Sequence, residues 1–274
     1  MKKLFYIILI SLSFTSCEDV ISVDVPEGEP RLVVDASFEL YLNETPVSVE
    51  GGVKLTMSAP FFDEDIPTVS NATVFITNLS DNSVINFTES GESGFFLPES
   101  EDFIPEFDTS YQLTVLYNNE TYTATTQLFP SVPIDNIEQG DGELFDDETE
   151  IIVSFTDDGN RDNFYLFDFD FNLLEVSEDR FYQGESVDFS YFYENNVTGR
   201  TATIKILGID KQYFNYADLL IDQSDQDGGN PFQTPPALLR GNIINTTNRD
   251  NYALGYFNLS EANRFDFTIA EKEE

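Results

Sequence analysis

The sequence predicts a mainly β fold: a β-sandwich over residues 31–130 and a second β-rich domain with one short helix over residues 131–274. Apolar residues recur at every second position through most of the chain. Turn formers punctuate these runs at short intervals, and a single segment shifts to helical spacing. With 41% hydrophobic residues, including 26 Phe and 13 Tyr in 274 residues, the chain has the apolar material to build cores.

The strands follow in order. In "VKLTMS", Val53, Leu55 and Met57 alternate with Lys54, Thr56 and Ser58, and in "ATVFITNL" Val74 and Ile76 alternate with Thr73, Phe75 and Thr77. Tyr111, Leu113, Val115 and Tyr117 share one face, as do Tyr122, Ala124, Thr126 and Leu128. The Asn118-Asn119 pair between these runs tolerates left-handed backbone, so a hairpin is expected there. The stretch from Phe129 to Glu150 is rich in proline, glycine and acids, which places a domain boundary near Pro130. Beyond it, "IIVSFT", "FYLFDFDF", "VDFSYFY", "TATIKILGI", "YALGYFNLS" and "RFDFTIA" read as strands. Tyr165, Phe167, Phe169 and Phe171 should share an inward face, with Asp168 and Asp170 on the other. In "DKQYFNYADLLIDQ", Tyr213, Tyr216, Ala217 and Leu220 follow helical spacing, with Asp210 as the N-cap.

The chain opens Met1-Lys2-Lys3 and runs apolar from Leu4 to Phe14, far short of the roughly 20 residues of a spanning helix. Thr15 and Ser16 then precede Cys17, the only cysteine. A basic start, a short apolar run and small residues make residues 1–16 a signal peptide. "FTSC" resembles the lipobox of bacterial lipoproteins, with Phe14 a departure from its usual residue. That resemblance implies lipidation of Cys17, attachment to a membrane through acyl chains, and an acidic tether over residues 17–30.

Thirteen basic against 51 acidic residues give a formal net charge of −38, which repels phosphate backbones and excludes nucleic acid as a partner. The absence of histidine removes Ser-His-Asp and Cys-His machinery and imidazole metal sites. No glycine-rich phosphate loop occurs. These absences point to a protein that is not an enzyme and needs no cofactor, with calcium the one metal its oxygen-rich loops invite. "DQSDQDGGN" offers Asp222, Asp225, Asp227 and Asn230, and "DDGNRDN" offers Asp157, Asp158, Asn160 and Asp162. Glycan hydrolysis would require a carboxylate pair, but Asp168 and Asp170 in "DFDFN" read as a solvated strand face opposite an aromatic one.

The segments "PRLVVDASF" and "ATVFITN" and the late block "PPALLRGNIINTTNRDNYALGYFNLS" resemble a family of Bacteroidota outer-membrane lipoproteins known as domain of unknown function (DUF) 4249. Its most specific portion runs from Pro236 to Ser260. The stretch from Ala72 to Leu128 is similar in pattern to immunoglobulin-like and transthyretin-like sandwiches. The family resemblance implies a lipid-anchored outer-membrane protein and a TonB-dependent transporter as partner. The function expected is that of a non-enzymatic binding or accessory subunit. The alternatives are a surface adhesin-like protein and a carboxylate-based glycan hydrolase.

Overall fold

A computed structural model describes residues 28–60, 65–91, 93–100, 103–142, 148–193, 197–224 and 238–270. The protein is mainly β, and its larger sheet is barrel-like. Strands β1 (Leu32–Tyr41), β2 (Ser48–Met57), β3 (Thr73–Asn78), β4 (Val84–Glu89), β5 (Phe95–Pro98), β6 (Ser110–Tyr117) and β7 (Glu120–Phe129) pair in the order β1-β2-β5-β4-β3-β6-β7. Ring closure comes from β15 (Leu254–Thr268), which runs parallel to β1 from Val33↔Leu254 to Leu40↔Glu261 and touches β7 at Leu259↔Leu128. Strand alternation alone does not separate such a ring from a sandwich, because both bury every second side chain. Inside it lie Val34, Phe38, Leu55, Ile76, Leu113, Phe257 and their neighbours. Asn118 and Asn119, at φ 54° and 63°, make the expected hairpin turn between β6 and β7.

Leu128 is the last residue of that stretch in the first core, and Val132 the first in the second. Here β8 (Ile134–Gln139), β9 (Thr149–Thr156) and β12 (Ser186–Tyr193) form a small sheet. It faces β10 (Phe164–Asp168), β11 (Leu174–Glu178), β13 (Thr201–Ile209) and the second half of β15. The two sheets meet through rings: Phe167 stacks on Phe189 at 4.7 Å and Phe169 on Tyr191 at 4.1 Å. Each fully buried ring contributes about 1.5–3 kcal/mol, enough to hold this body together without a disulfide.

Strand β15 serves both cores. Leu254–Glu261 pair with β1, and Ala262–Thr268 pair antiparallel with β13. The second core's chain therefore returns to finish the first, and the C-terminal strand belongs to residues 31–130 as much as to residues 131–270.

The block around Pro236–Ser260 supplies the seam, with residues 236 and 237 outside the described residues. Asn242 copies a strand with its side chain: its Nδ2 donates to the Phe257 carbonyl and its Oδ1 accepts from the Phe257 N–H, both at 2.8 Å. A side chain on Gly241 would run into the Gly255 carbonyl, and Gly255 itself sits at φ +96° against the Val34 carbonyl. Short β14 (Ile244–Asn245) then pairs with β7. Glu120 Oε2 accepts from Tyr122 Oη at 2.6 Å, Asn245 Nδ2 at 3.1 Å and Asn251 Nδ2 at 2.5 Å, tying this block to the barrel.

Helix α1 (Lys211–Ser224) starts where Asp210 Oδ1 accepts the Tyr213 N–H at 2.7 Å, as an N-cap does. Tyr213 and Tyr216 lie on Tyr256 of β15, at 4.7 and 5.2 Å, and Phe214 lies on Phe164 at 5.4 Å. Ala217 and Ile221 complete the inward face, whereas Leu220, on the same stripe as Tyr213, is 46% exposed.

Two expected outcomes test the seam. Asn242→Ala leaves the buried Phe257 N–H and carbonyl without partners and should cost about 2 kcal/mol in urea unfolding. The second concerns pH: the donors on Glu120, Tyr122 foremost, hold its carboxyl below the ordinary value of 4.5. A depressed carboxyl contributes stability above its unfolded value and loses it as pH falls through the folded one. Glu120→Gln should thus lower the unfolding midpoint at pH 7, with the gap to wild type closing in more acid solution.

Candidate functional site

The acidic loops resolve into internal hydrogen-bond networks. In "DDGNRDN", Asp157 is buried and accepts from Tyr165 Oη at 2.6 Å and the Gly184 N–H at 2.7 Å. Asp158 accepts from Asn160 and pairs with Arg161 at 3.4 Å, and Asn160 is thereby a donor to Asp158. Asn163 donates its N–H to Asp179 Oδ2 at 2.7 Å. Burial pushes the Asp179 carboxyl above the usual range, while the Asn163 N–H pulls the other way. Burial, reinforced by Asp157, drives the Tyr165 hydroxyl far up, so it stays a donor. This arrangement clamps the 157–163 loop onto the 179–184 turn, where Gly159 and Gly184 meet backbone to backbone.

Of the other calcium candidates, only Asp222 lies among the described residues. Asp222 is not in a loop: it lies on the exposed side of α1. Asp225, Asp227 and Asn230 lie outside the described residues, as does the lipidation candidate Cys17. Among the described residues no cluster of three or more metal-ligating side chains occurs.

"DFDFN" also departs from expectation. Tyr165, Phe167 and Phe169 do share the buried face, but β10 stops at Asp168. Asp170, Phe171 and Asn172 follow at φ 65°, 54° and 63°, three consecutive left-handed residues without a glycine. Side-chain acceptors stabilise this otherwise costly conformation. Asp168 Oδ1 accepts the Asp170 N–H at 2.9 Å, and Asp170 Oδ1 accepts the Phe171 N–H at 2.7 Å. The second Asp170 oxygen takes the Thr203 N–H at 3.1 Å. Arg200 covers the Phe171 ring at 3.7 Å. Asp168 is further bound by Lys205 at 3.3 Å, which also meets Glu39 at 3.0 Å. Burial works against the Lys205 charge, but Glu39 and Asp168 outweigh it and hold the proton above the ordinary lysine range. Asp168 and Asp170 thus do not lie side by side on one strand face, and both carboxylates serve as acceptors for the turn.

The concavity with the composition of a binding site lies in the barrel wall. Between β2 and the segment after β5 opens a slot of about 390 Å³, lined by Phe38, Val47, Val49, Gly51, Leu97, Pro98, Ser100, Phe103 and Ile104. Its size and lining match ligand pockets, which span roughly 300–1,000 Å³ and are mostly apolar. The floor is rigid: Phe38 and Phe103 meet edge to face at 5.2 Å, backed by Phe87 and Phe257. On the rim, Leu97 is 38% exposed and Ile104 46%.

Sequence reasoning missed this slot, since its residues come from separate parts of the chain. One local signal existed. Continuing the β2–β5 register beyond Val53↔Phe96 would set Gly51 opposite Pro98, which has no N–H to give.

The fold and this opening define a mainly β protein with a barrel-like sheet and a two-sheet body joined through one strand. The chain belongs to the family described as Domain of unknown function (DUF4249), whose model matches residues 18–265. A comparison with curated proteins finds no match.

The clamp is directly testable. Asp157→Ala strips the partner from the buried Tyr165 hydroxyl and from the Gly184 N–H. About 3 kcal/mol of stability should go, with Asp157→Asn losing less, as read by thermal unfolding.

Proposed function

We propose that this protein is a lipid-anchored outer-membrane lipoprotein that acts as a binding or accessory subunit beside a TonB-dependent transporter. The observation that carries the binding role is the apolar slot: a preformed, aromatic-floored opening on a rigid sheet, edged by exposed apolar side chains. What supports the anchor is the basic, apolar and small-residue pattern ending at Cys17. Among the described residues no helix is long and apolar enough to cross a membrane, so in this reading the acyl chains provide the attachment. The transporter comes from the family resemblance alone. The acid excess keeps the folded body off anionic headgroups, and the tether lets it stand away from the bilayer.

The anchor is tested by substitution. Cys17→Ser should move the protein from the membrane pellet to the soluble fraction, and mass spectrometry of the native N-terminal peptide should show acylation at Cys17. Crosslinking in intact envelopes followed by purification should recover a transporter at near-equal yield; recovery of abundant porins at background level overturns the accessory role. Protease treatment of intact cells distinguishes the adhesin reading, which requires cleavage from outside.

A further inference from the structure

The β1–β2 ladder is unbroken from Leu32↔Met57 to Tyr41↔Ser48. In such a ladder every second residue turns its N–H and carbonyl away from the partner strand. On β2 these are the odd-numbered residues. The Leu55 N–H donates to Gly94 at 2.8 Å and its carbonyl accepts from Val69 at 2.9 Å, while the Met57 N–H donates to Pro67 at 2.8 Å. Val53 pairs with Phe96. The same alternation directs Val49 and Gly51 outward, and there the neighbouring strand ends: β5 pairs with β2 only at Val53 and Lys54, and then Pro98 intervenes. Among the described residues no strand covers β2 at Ser48–Gly52. Val49 and Gly51, the outward residues at this end of β2, line the slot together with Val47, which precedes the strand.

We propose that the slot is a strand-addition site. Its occupant is an extended segment of another protein, basic in character and apolar at alternate positions. It pairs with the free edge at Val47–Gly51 and seats an apolar side chain on Phe38 and Phe103. The backbone edge supplies affinity without regard to sequence, and the aromatic floor selects what sits at one alternate position. Charge selects the occupant's sign: Glu99, between the lining residues Pro98 and Ser100, and Glu106, two residues past Ile104, are exposed and form no ion pair among the described residues, in a chain of net charge −38. A second copy of this chain would bring the same negative field and repel. This inference rests on the binding role proposed above, and not on the lipid anchor.

The test uses the full-length protein in detergent with a fluorescein-labelled octapeptide alternating valine and lysine. Two controls accompany it: an alternating valine–glutamate peptide, and a peptide of the same valines and lysines in two blocks. Fluorescence anisotropy should show the alternating basic peptide binding about tenfold or more tighter than either control. Amide exchange at Val49 should be fast in the free protein and at least tenfold slower with peptide. Val49→Pro removes the outward N–H while sparing the β1 ladder, and Ile104→Ser removes an exposed apolar rim side chain without adding charge or disturbing the core; each should weaken binding about tenfold. Equal binding of the block peptide, unchanged binding by both variants, or a slow Val49 amide in free protein that self-associates would overturn the proposal. If envelope crosslinking recovers a partner equally with wild type and Ile104→Ser, the binding role stands and the slot falls. If neither partner nor peptide binds, both fall.

Discussion

One strand holds this protein together. Through its first half β15 is the parallel neighbour of β1, and through its second half the antiparallel neighbour of β13. Its side chains are buried on both faces between Tyr256 and Ser260: Phe257 and Leu259 enter the barrel, and Tyr256 lies under the α1 tyrosines. A strand covered on both faces cannot slip by one residue, because every core side chain would change sides. The barrel and the two-sheet body are consequently fixed in register with each other by continuous backbone, reinforced by the Lys205–Glu39 pair and by Tyr41 packed with Leu166 and Leu207. Asn242 covers this strand at Phe257, which neither β13 nor β7 reaches, and Glu120 ties down the segment that leads into it.

A second theme is the use made of carboxylates. A chain with 51 acids invites readings as metal site or acid–base pair. Instead, Asp157, Asp170, Asp179 and Glu120 each accept from N–H or O–H groups that would otherwise lack partners in tight turns. Loops that look like ligand sets are held in shape by those oxygens. The concavity best suited to recognition is formed by uncharged residues, where a ladder stops for want of one hydrogen-bond donor.

Local features of the fold were legible. Alternation through Tyr111–Leu128 and the Asn118-Asn119 turn produce the β6–β7 hairpin because each depends on neighbouring residues alone. Asp210 and the tyrosine spacing likewise located α1, although Leu220, on the same stripe as Tyr213, is 46% exposed, because spacing does not show how far along the helix its packing partners extend. Parallel pairing of Val33 with Leu254 leaves no mark at either position, so barrel closure stayed hidden. "DFDFN" misled because its alternation continues past Asp168, while the Asp168 and Asp170 side chains recruit local N–H groups and end the strand. The slot was invisible for the same reason as the closure: Phe38, Val49 and Phe103 meet only once distant strands have assembled.

The order of elements along the chain has a consequence for biogenesis. Strands β1 and β7 emerge early, yet the partner that joins them is made after the entire second body. Until then both present unpaired backbone to the surroundings, a state prone to mispairing with other chains. Long-range closure of this kind is slow relative to hairpin formation. A nascent molecule therefore has its barrel open until the chain is nearly complete, and shielding by a holding chaperone is most valuable during that interval.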